Sequence, residues 1–438
     1  MEQPRFIYDL DDRPPLRHAA IYALQWAVIL FPTLITAAAL MAGVLHLSPA
    51  QEVRFLQLTL LTSGIFTSVQ CLWGHRYPIL EGPSTALLLT FLVLAPYGIP
   101  AIQGGTLIGG LLLTIAVILV KPKRIIYIMT PNVVGVILML IALTLLPFLS
   151  RLLTGADTAG GAEVSKFLFS IAVVLVIAAM AYRLEGFLKS VSLLLGMIVG
   201  TVCFFIIEIP SLKHLLSASW LSFPQPLVPS RPEFTVPAVI AFAVSYVAVV
   251  INSIGSIQGI ANITSRDRLQ QAIPRGLFIN GIGGVVCGLM GVIGTVSYSI
   301  SPGVVLSNRV ASRYAAAYCG VLLLLSALVP KLAALLSLVP PPVVGAALCA
   351  AMGVQIGAAL AIIAEKGIQR RDYAVVGLPV LMGTLTGFLP QGLIEAVPQV
   401  LRVFIGNGLI FGILLVLILE HIIMREKRGM ESPEGDRH

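Results

Sequence analysis

Nearly all of the 20 acidic residues in this 438-residue chain fall in tails, loops or the ends of apolar stretches. Glu81 does not. It lies a few residues inside a window, 77–120, that holds no other Asp, Glu, Lys or Arg. An ionisable group placed there is costly to insert and is a functional candidate by default, here as a carboxylate able to carry a proton. The competing reading is a structural cap on the free N–H groups around Gly82 and Pro83, where a positive helix end favours negative charge. Proline has no N–H and suits the first turn of a helix, so Gly82-Pro83 and Ser301-Pro302 predict helices that start in mid-membrane. The chain before them, Arg76–Glu81 and Gly294–Ile300, is then extended, and such backbone is tolerated at that depth only when buried in protein or lining a cavity. Two half-helices entering from opposite sides would aim free N–H groups at one small space, a site for a solute that accepts hydrogen bonds.

Other polar residues could serve that space. Asn252 and Ser256 are four apart and share a helix face, Gln25 offers an amide, and Tyr298 a hydroxyl. Their bland alternatives are polar contacts between helices and, for Tyr298, a core aromatic with a satisfied hydroxyl. The five cysteines (Cys71, Cys203, Cys287, Cys319, Cys349) sit in apolar stretches without metal-ligand spacing and read as free thiols. None of the six histidines reads as mid-span, so no histidine-based acid–base or metal site is expected. Without paired carboxylates, a histidine cluster or a nucleophile–base set, the chain reads as no enzyme. No cofactor is expected, a proton being the one candidate coupling ion.

The elements that must hold these residues follow from composition. With 57% apolar and 11% charged residues, the solvent for most of the chain is lipid. Splitting the apolar windows at Gly, Pro and polar clusters predicts 14 spans, starting near residues 18, 52, 77, 101, 129, 165, 187, 236, 275, 295, 314, 341, 373 and 396. With both termini cytoplasmic, this layout puts 21 of the 28 basic residues inside and 7 outside. The net charge of +8 is thereby read as positive inner loops rather than a nucleic-acid partner. The polar N-terminus and long first apolar run do not read as a cleavable signal. Three matched pairs recur at offsets of 210, 212 and 219 residues: Pro131–Gly135 with Pro341–Gly345, Gly196/Gly200/Glu208 with Gly408/Gly412/Glu420, and Tyr77/Pro83 with Tyr298/Pro302. They predict an all-α polytopic membrane protein of two seven-span repeats, inverted because seven is odd.

The opening Tyr8-Asp9-Leu10-Asp11-Asp12-Arg13-Pro14-Pro15-Leu16, with Tyr22-Ala23-Leu24-Gln25, carries a more specific signal. Together with Ala261–Ile263, Asn280-Gly281, Gly303–Arg309 and Pro341–Gly345, it makes the chain resemble the nucleobase–ascorbate transporter family, or nucleobase:cation symporter-2, over nearly its whole length. The resemblance implies an elevator-type, alternating-access transporter of a nucleobase or related heterocycle in the inner (plasma) membrane, surrounded by lipid and often a homodimer. It implies a core domain (18–124 and 236–338) moving against a gate domain (125–235 and 339–424), cytoplasmic tails at 1–17 and 425–438, and a short strand before each half-helix. Substrate-binding positions by this resemblance are Gln25, Glu81, Gly82, Thr85, Asn252, Ser256, Tyr298, Ser299, Ile300, Ser301 and Gly303, with the backbone N–H groups of Thr85 and Ser299 facing the solute. The chain departs from the family at several of them. Asn252 stands where a substrate-gripping Glu is usual, Ile300 where an acid or amide is, Asn308 replaces a Thr, and Gln25-Trp26 replaces Gln-His. Proton coupling would then have moved to Glu81. The alternatives are an uncoupled facilitator and an anion carrier or channel of sulfate-permease type, which needs no carboxylate in spans 8 or 10.

Overall fold

A computed structural model describes residues 6–119, 128–156, 162–227, 231–365, 367–390, 392–393 and 396–424. The C-terminal tail at 425–438, the 124/125 domain boundary and the basic residues Arg5, Lys121, Lys123, Arg124 and Lys366 lie outside them.

Local chemistry explains where several helices begin. Helix α1 spans Leu16–Val44 and α2 Pro49–Leu72. The start of α2 is a reciprocal cap in which the Gln51 N–H reaches Ser48 Oγ and the Ser48 N–H reaches Gln51 Oε1. Strand β1 (Glu81–Pro83), α3 (Thr85–Leu94) and, after a tight turn, α4 (Gly98–Leu119) follow. Next come α5 (Pro131–Thr144), α6 (Leu146–Thr154), α7 (Val164–Arg183), α8 (Gly186–Ser190), α9 (Ser192–Ile207) and α10 (Lys213–Ser217). The second half contains α11 (Val236–Ile263), α12 (Leu269–Met290), β2 (Thr295–Ser297), α13 (Ser301–Asn308), α14 (Arg313–Ala327) and α15 (Pro330–Leu336). It ends with α16 (Pro341–Ala364), α17 (Asp372–Thr386), α18 (Gln399–Ile405) and α19 (Gly408–Ile418).

Eight helical runs among the described residues are long and apolar enough to cross a bilayer, or nine if α14 and α15, bent by 96° at Pro330, count as one. Three shorter apolar helices, Ser192–Ile207, Asp372–Thr386 and Gly408–Ile423, accompany them. Helix length and apolarity among the described residues therefore do not by themselves distinguish all of the 14 expected spans, two of which were expected as half-helices. Apolar windows count lipid-compatible chain, whereas Gly and Pro cut that chain into half-length pieces such as α3 and α13, and Thr85–Leu119 runs as one apolar stretch where two spans were expected.

The helices pack as two bundles. In the first, α1–α4 interleave with α11–α14; in the second, α5–α9 pack with α16, α17 and α19. Small residues allow the closest approaches. A Cβ on Gly110 of α4 would stand 2.7 Å from the Gly281 oxygen of α12, so the two backbones touch only because both positions lack side chains. The bundles meet chiefly where α1 faces α9 and α16, where α11 faces α18 and α19, and where α13 faces α8.

Candidate functional site

The two short strands pair antiparallel in the middle of the first bundle, with Glu81 opposite Ser297, Gly82 opposite Val296 and Pro83 opposite Thr295. The ladder extends through Tyr298 N–H to Leu80 O and Ser84 N–H to Gly294 O, both 2.9 Å. Here the structure corrects one detail of the sequence reading. Pro83 ends the strand, where its missing N–H leaves no ladder bond unmade, and α3 starts at Thr85 behind Ser84, whose Oγ accepts the Leu87 N–H at 3.4 Å. Ser84 is thus the cap, and Glu81 is not. On the other side α13 does start at Ser301-Pro302, as the proline suggested.

The front of the strand pair faces a cavity between the bundles. Pro32, Thr33, Thr36 and Ala37 of α1, Pro83, Thr85, Leu88 and Tyr298 form one wall, and Leu193 of α9 with Ala347, Leu348, Ala351 and Met352 of α16 form the other. The N–H groups of Thr85 and Ala86, in the first turn of α3, find no acceptor among the described residues, as expected at a helix start. Tyr298 lies flat across Gly82 and its hydroxyl donates to Pro83 O at 3.0 Å. A Cβ on Gly82 would come within 2.6 Å of that ring, so glycine is required for the tyrosine to lie there.

The remaining candidates are distributed around this cavity. Ser256 is buried on α11 and its Oγ donates to Ser297 O at 2.7 Å, tying the helix to β2. Asn252, one turn away, is half-buried. Ser301 is buried and its Oγ receives the Leu80 N–H at 3.1 Å, so it joins α13 to the chain leading into β1. Ser299, Ile300 and Gly303 are exposed at the start of α13 and do not line the cavity wall. Gln25 lies on α1 about two turns before Pro32, and its Oε1 is buried without a hydrogen-bond partner.

Glu81 occupies the back of the strand pair, away from the cavity lining. It is fully buried. Its Oε1 accepts Ser297 Oγ at 2.5 Å and its Oε2 accepts Asn280 Nδ2 of α12 at 3.2 Å. Its backbone N–H donates to Thr67 Oγ1 of α2 at 2.9 Å. Strand alternation accounts for the placement: with Gly82 beneath Tyr298, its neighbour Glu81 must point the other way. The sequence reading also missed a residue here. His75 is buried with Nε2 3.8 Å from Glu81 Oε1, because the turn after α2 folds the chain back over the strand. Its six-residue spacing from Glu81 was the available signal. Thr33 and Thr36, within one turn after the proline in α1, were missed as well.

The opening segment anchors the far end of α13. Ile7 N–H donates to Arg309 O at 2.8 Å, Ala311 N–H to Tyr8 O at 2.9 Å and Arg313 N–H to Leu10 O at 3.1 Å. Asp11 bridges Arg268 at 2.5 Å and Arg313 at 2.7 Å, and the Arg268 hydrogen bond, with Arg313, holds its carboxyl down at about 2.

Comparison with known proteins places this architecture. Residues 17–392 match the Permease family model of xanthine and uracil type. The chain is 26% identical to the uric acid permease PucK of Bacillus subtilis, over 93% of this chain and 94% of that one. It is 24% identical to the uracil permease of Escherichia coli, over 95% and 96%. Among solved structures, the transmembrane domain of the cyanobacterial bicarbonate transporter BicA superposes with a TM-score of 0.60 at 15% identity, over 92% of this chain and 97% of that one. Murine Slc26a9, an anion transporter in its inward-facing state, gives 0.61 at 9% identity, over 93% and 68%. At such low identities these two establish the fold alone. The sequence matches decide the family: this is an integral, multi-pass membrane protein and a permease rather than an enzyme, and it belongs to the xanthine/uracil Permease family, the nucleobase–ascorbate transporters.

Proposed function

We propose that the chain carries a nucleobase or a related flat heterocycle across the membrane by alternating access. The observation that carries this reading is the cavity between the bundles, floored by the paired strands and the open first turn of α3. A planar ring bearing carbonyl oxygens would lie against Tyr298 and accept from the Thr85 and Ala86 N–H groups, which the helix dipole makes better donors. Uric acid and uracil, the solutes named for two relatives, have that chemistry.

In this reading the first bundle is the core (18–124 and 236–338) and the second the gate (125–235 and 339–424), the two halves of the sequence being seven-span repeats of opposite orientation, with cytoplasmic termini. The core slides as an elevator against α9 and α16. A second copy of the chain packs against the gate, and lipid covers the rest. Gln25 and Asn252 supply amides at the cavity's approaches, and Glu81 carries the coupling proton behind the strands.

Uptake of radiolabelled uracil, xanthine and uric acid into proteoliposomes, with and without an inward proton gradient, tests this directly. Accumulation of one of them above the passive level is expected, and the gradient should raise it. Transport of bicarbonate or sulfate with no uptake of any heterocycle would overturn the reading in favour of an anion carrier.

A further inference from the structure

The neighbours of Glu81 give its proton a specific setting. On α2 they are Thr67 and Cys71; on the loop, His75; on α12, Asn280; on β2 and just beyond it, Ser297 and Tyr298. No Lys or Arg is within ion-pair distance of Glu81 among the described residues. Arg313 is engaged elsewhere, donating to the carbonyl of Cys71 at 3.3 Å and pairing with Asp11 at 2.7 Å.

Among the described residues His75 is the one basic group facing the carboxylate, and its tautomer is fixed by its surroundings. Nδ1 accepts the Tyr77 N–H at 3.0 Å, so the neutral ring keeps its proton on Nε2. That Nε2 has no hydrogen-bond partner and points at Glu81 Oε1 from 3.8 Å, just beyond bonding range. A second proton on the ring would have to sit on Nδ1 and evict the Tyr77 N–H.

We propose that His75 is a positioning residue for the proton on Glu81, acting as a neutral donor that never takes the proton itself. This inference rests on the reading of Glu81 as the proton carrier. When Glu81 is ionised, His75 Nε2–H closes on Oε1 and forms a hydrogen bond, while Ser297 and Asn280 continue to donate. When a proton from water joins Glu81, that bond opens to the observed separation, and the carboxyl O–H can donate to Ser297 Oγ across the same short contact. One O–H bond forms or breaks on Glu81 and no bond to hydrogen breaks on His75. The consequence crosses the strand. Ser297 immediately precedes Tyr298, which lines the cavity, so reversing the donor in the Glu81–Ser297 bond acts on the residue beside the solute.

The test uses the full-length protein, labelled with 15N-histidine, in nanodiscs between about pH 5 and pH 9. Signals from His75 are identified by their absence in His75→Gln. The His75 ring should remain the neutral Nε2–H form throughout, with its Nε2 resonance moving through one titration that disappears in Glu81→Gln. A doubly protonated ring, or a resonance that does not move, overturns the proposal. Uptake gives the second readout: in His75→Leu the pH midpoint should move alkaline by about one unit or more, and His75→Gln, which keeps a donor, should recover at least half of that move. If Glu81→Gln retains full pH dependence of uptake while His75 still follows Glu81 by resonance, the coupling reading fails and the positioning inference stands.

Discussion

Each bundle buries carboxylate chemistry, one acid in the first and a pair in the second, and the two sites are built on opposite principles. In the second bundle Asp372 of α17 and Glu420, just beyond α19, share Arg371, at 3.3 and 2.9 Å. Asn132 of α5 donates to both acids, at 2.8 and 3.4 Å. In the first bundle the partners of Glu81 among the described residues are hydroxyl and amide donors and a histidine held out of bonding range, with no arginine. A guanidinium between two carboxylates, with Asn132 donating to both, ties three helices together through charge-assisted bonds. A lone acid among neutral donors can exist with or without its proton, because Ser297 can donate or accept. The contrast separates acids held by a cation from an acid held by neutral donors, although both look like buried acids at span ends or interiors in the sequence.

Breaking the clamp should have the largest effect. Arg371→Ala leaves two buried carboxylates facing each other without a cation, a loss of about 3 kcal/mol or more. Thermal unfolding in detergent should show a drop in Tm large enough to reduce the yield of folded protein. Glu81→Gln should leave the fold nearly as stable and change transport instead. The amide can accept from Asn280 and donate to Ser297, so Tm should stay within the range of a surface substitution, about 0.5 kcal/mol. Uptake should lose its dependence on external pH. If Glu81→Gln unfolds as readily as Arg371→Ala, both clusters are clamps and the distinction collapses.

How much of this was legible in the sequence depended on how local the cause was. The half-helix starts were legible because proline and glycine act within a turn; whether Pro83 ended a strand or began a helix depended on Ser84 and on pairing with β2. The position of Glu81 inside an apolar window was legible too, and its partners were not. Thr67, Asn280 and Ser297 come from 14, 199 and 216 residues away, separations that carry no periodic signal. His75 escaped because it sits where α2 ends, and only the fold turns that end inward. The far wall of the cavity was hidden most completely: in sequence, Leu348 and Met352 are indistinguishable from residues that face lipid. Span boundaries were less legible for a related reason, since hydropathy measures how much chain lipid accepts and not how many helices it forms.

A smaller prediction concerns the front of the same strand pair. Ser84→Ala removes the side-chain acceptor at the start of α3 and should cost about 1 kcal/mol, read as a modest fall in Tm. Because that cap orients the first turn lining the cavity, the KM for the transported solute should rise more than the maximal rate falls.

The smallest effect belongs to a third ionic cluster, the opening segment's Asp11 with Arg268 and Arg313. Its carboxyl is held near 2 against an ordinary 3.8, so folding favours the ionised form. The sign follows: the stabilisation is fully present above about pH 4 and is lost as pH falls through about 2. The Asp11 side chain is 53% exposed, so solvent and salt screen the pair and Asp11→Asn should cost no more than about 1 kcal/mol at neutral pH. Wild type and Asp11→Asn should therefore differ by a small, constant Tm gap from pH 8 to pH 5, a gap that shrinks with added salt. A large loss would mean that the segment is clamped like Arg371, and that exposure does not separate the weak ionic contacts of this protein from the strong ones.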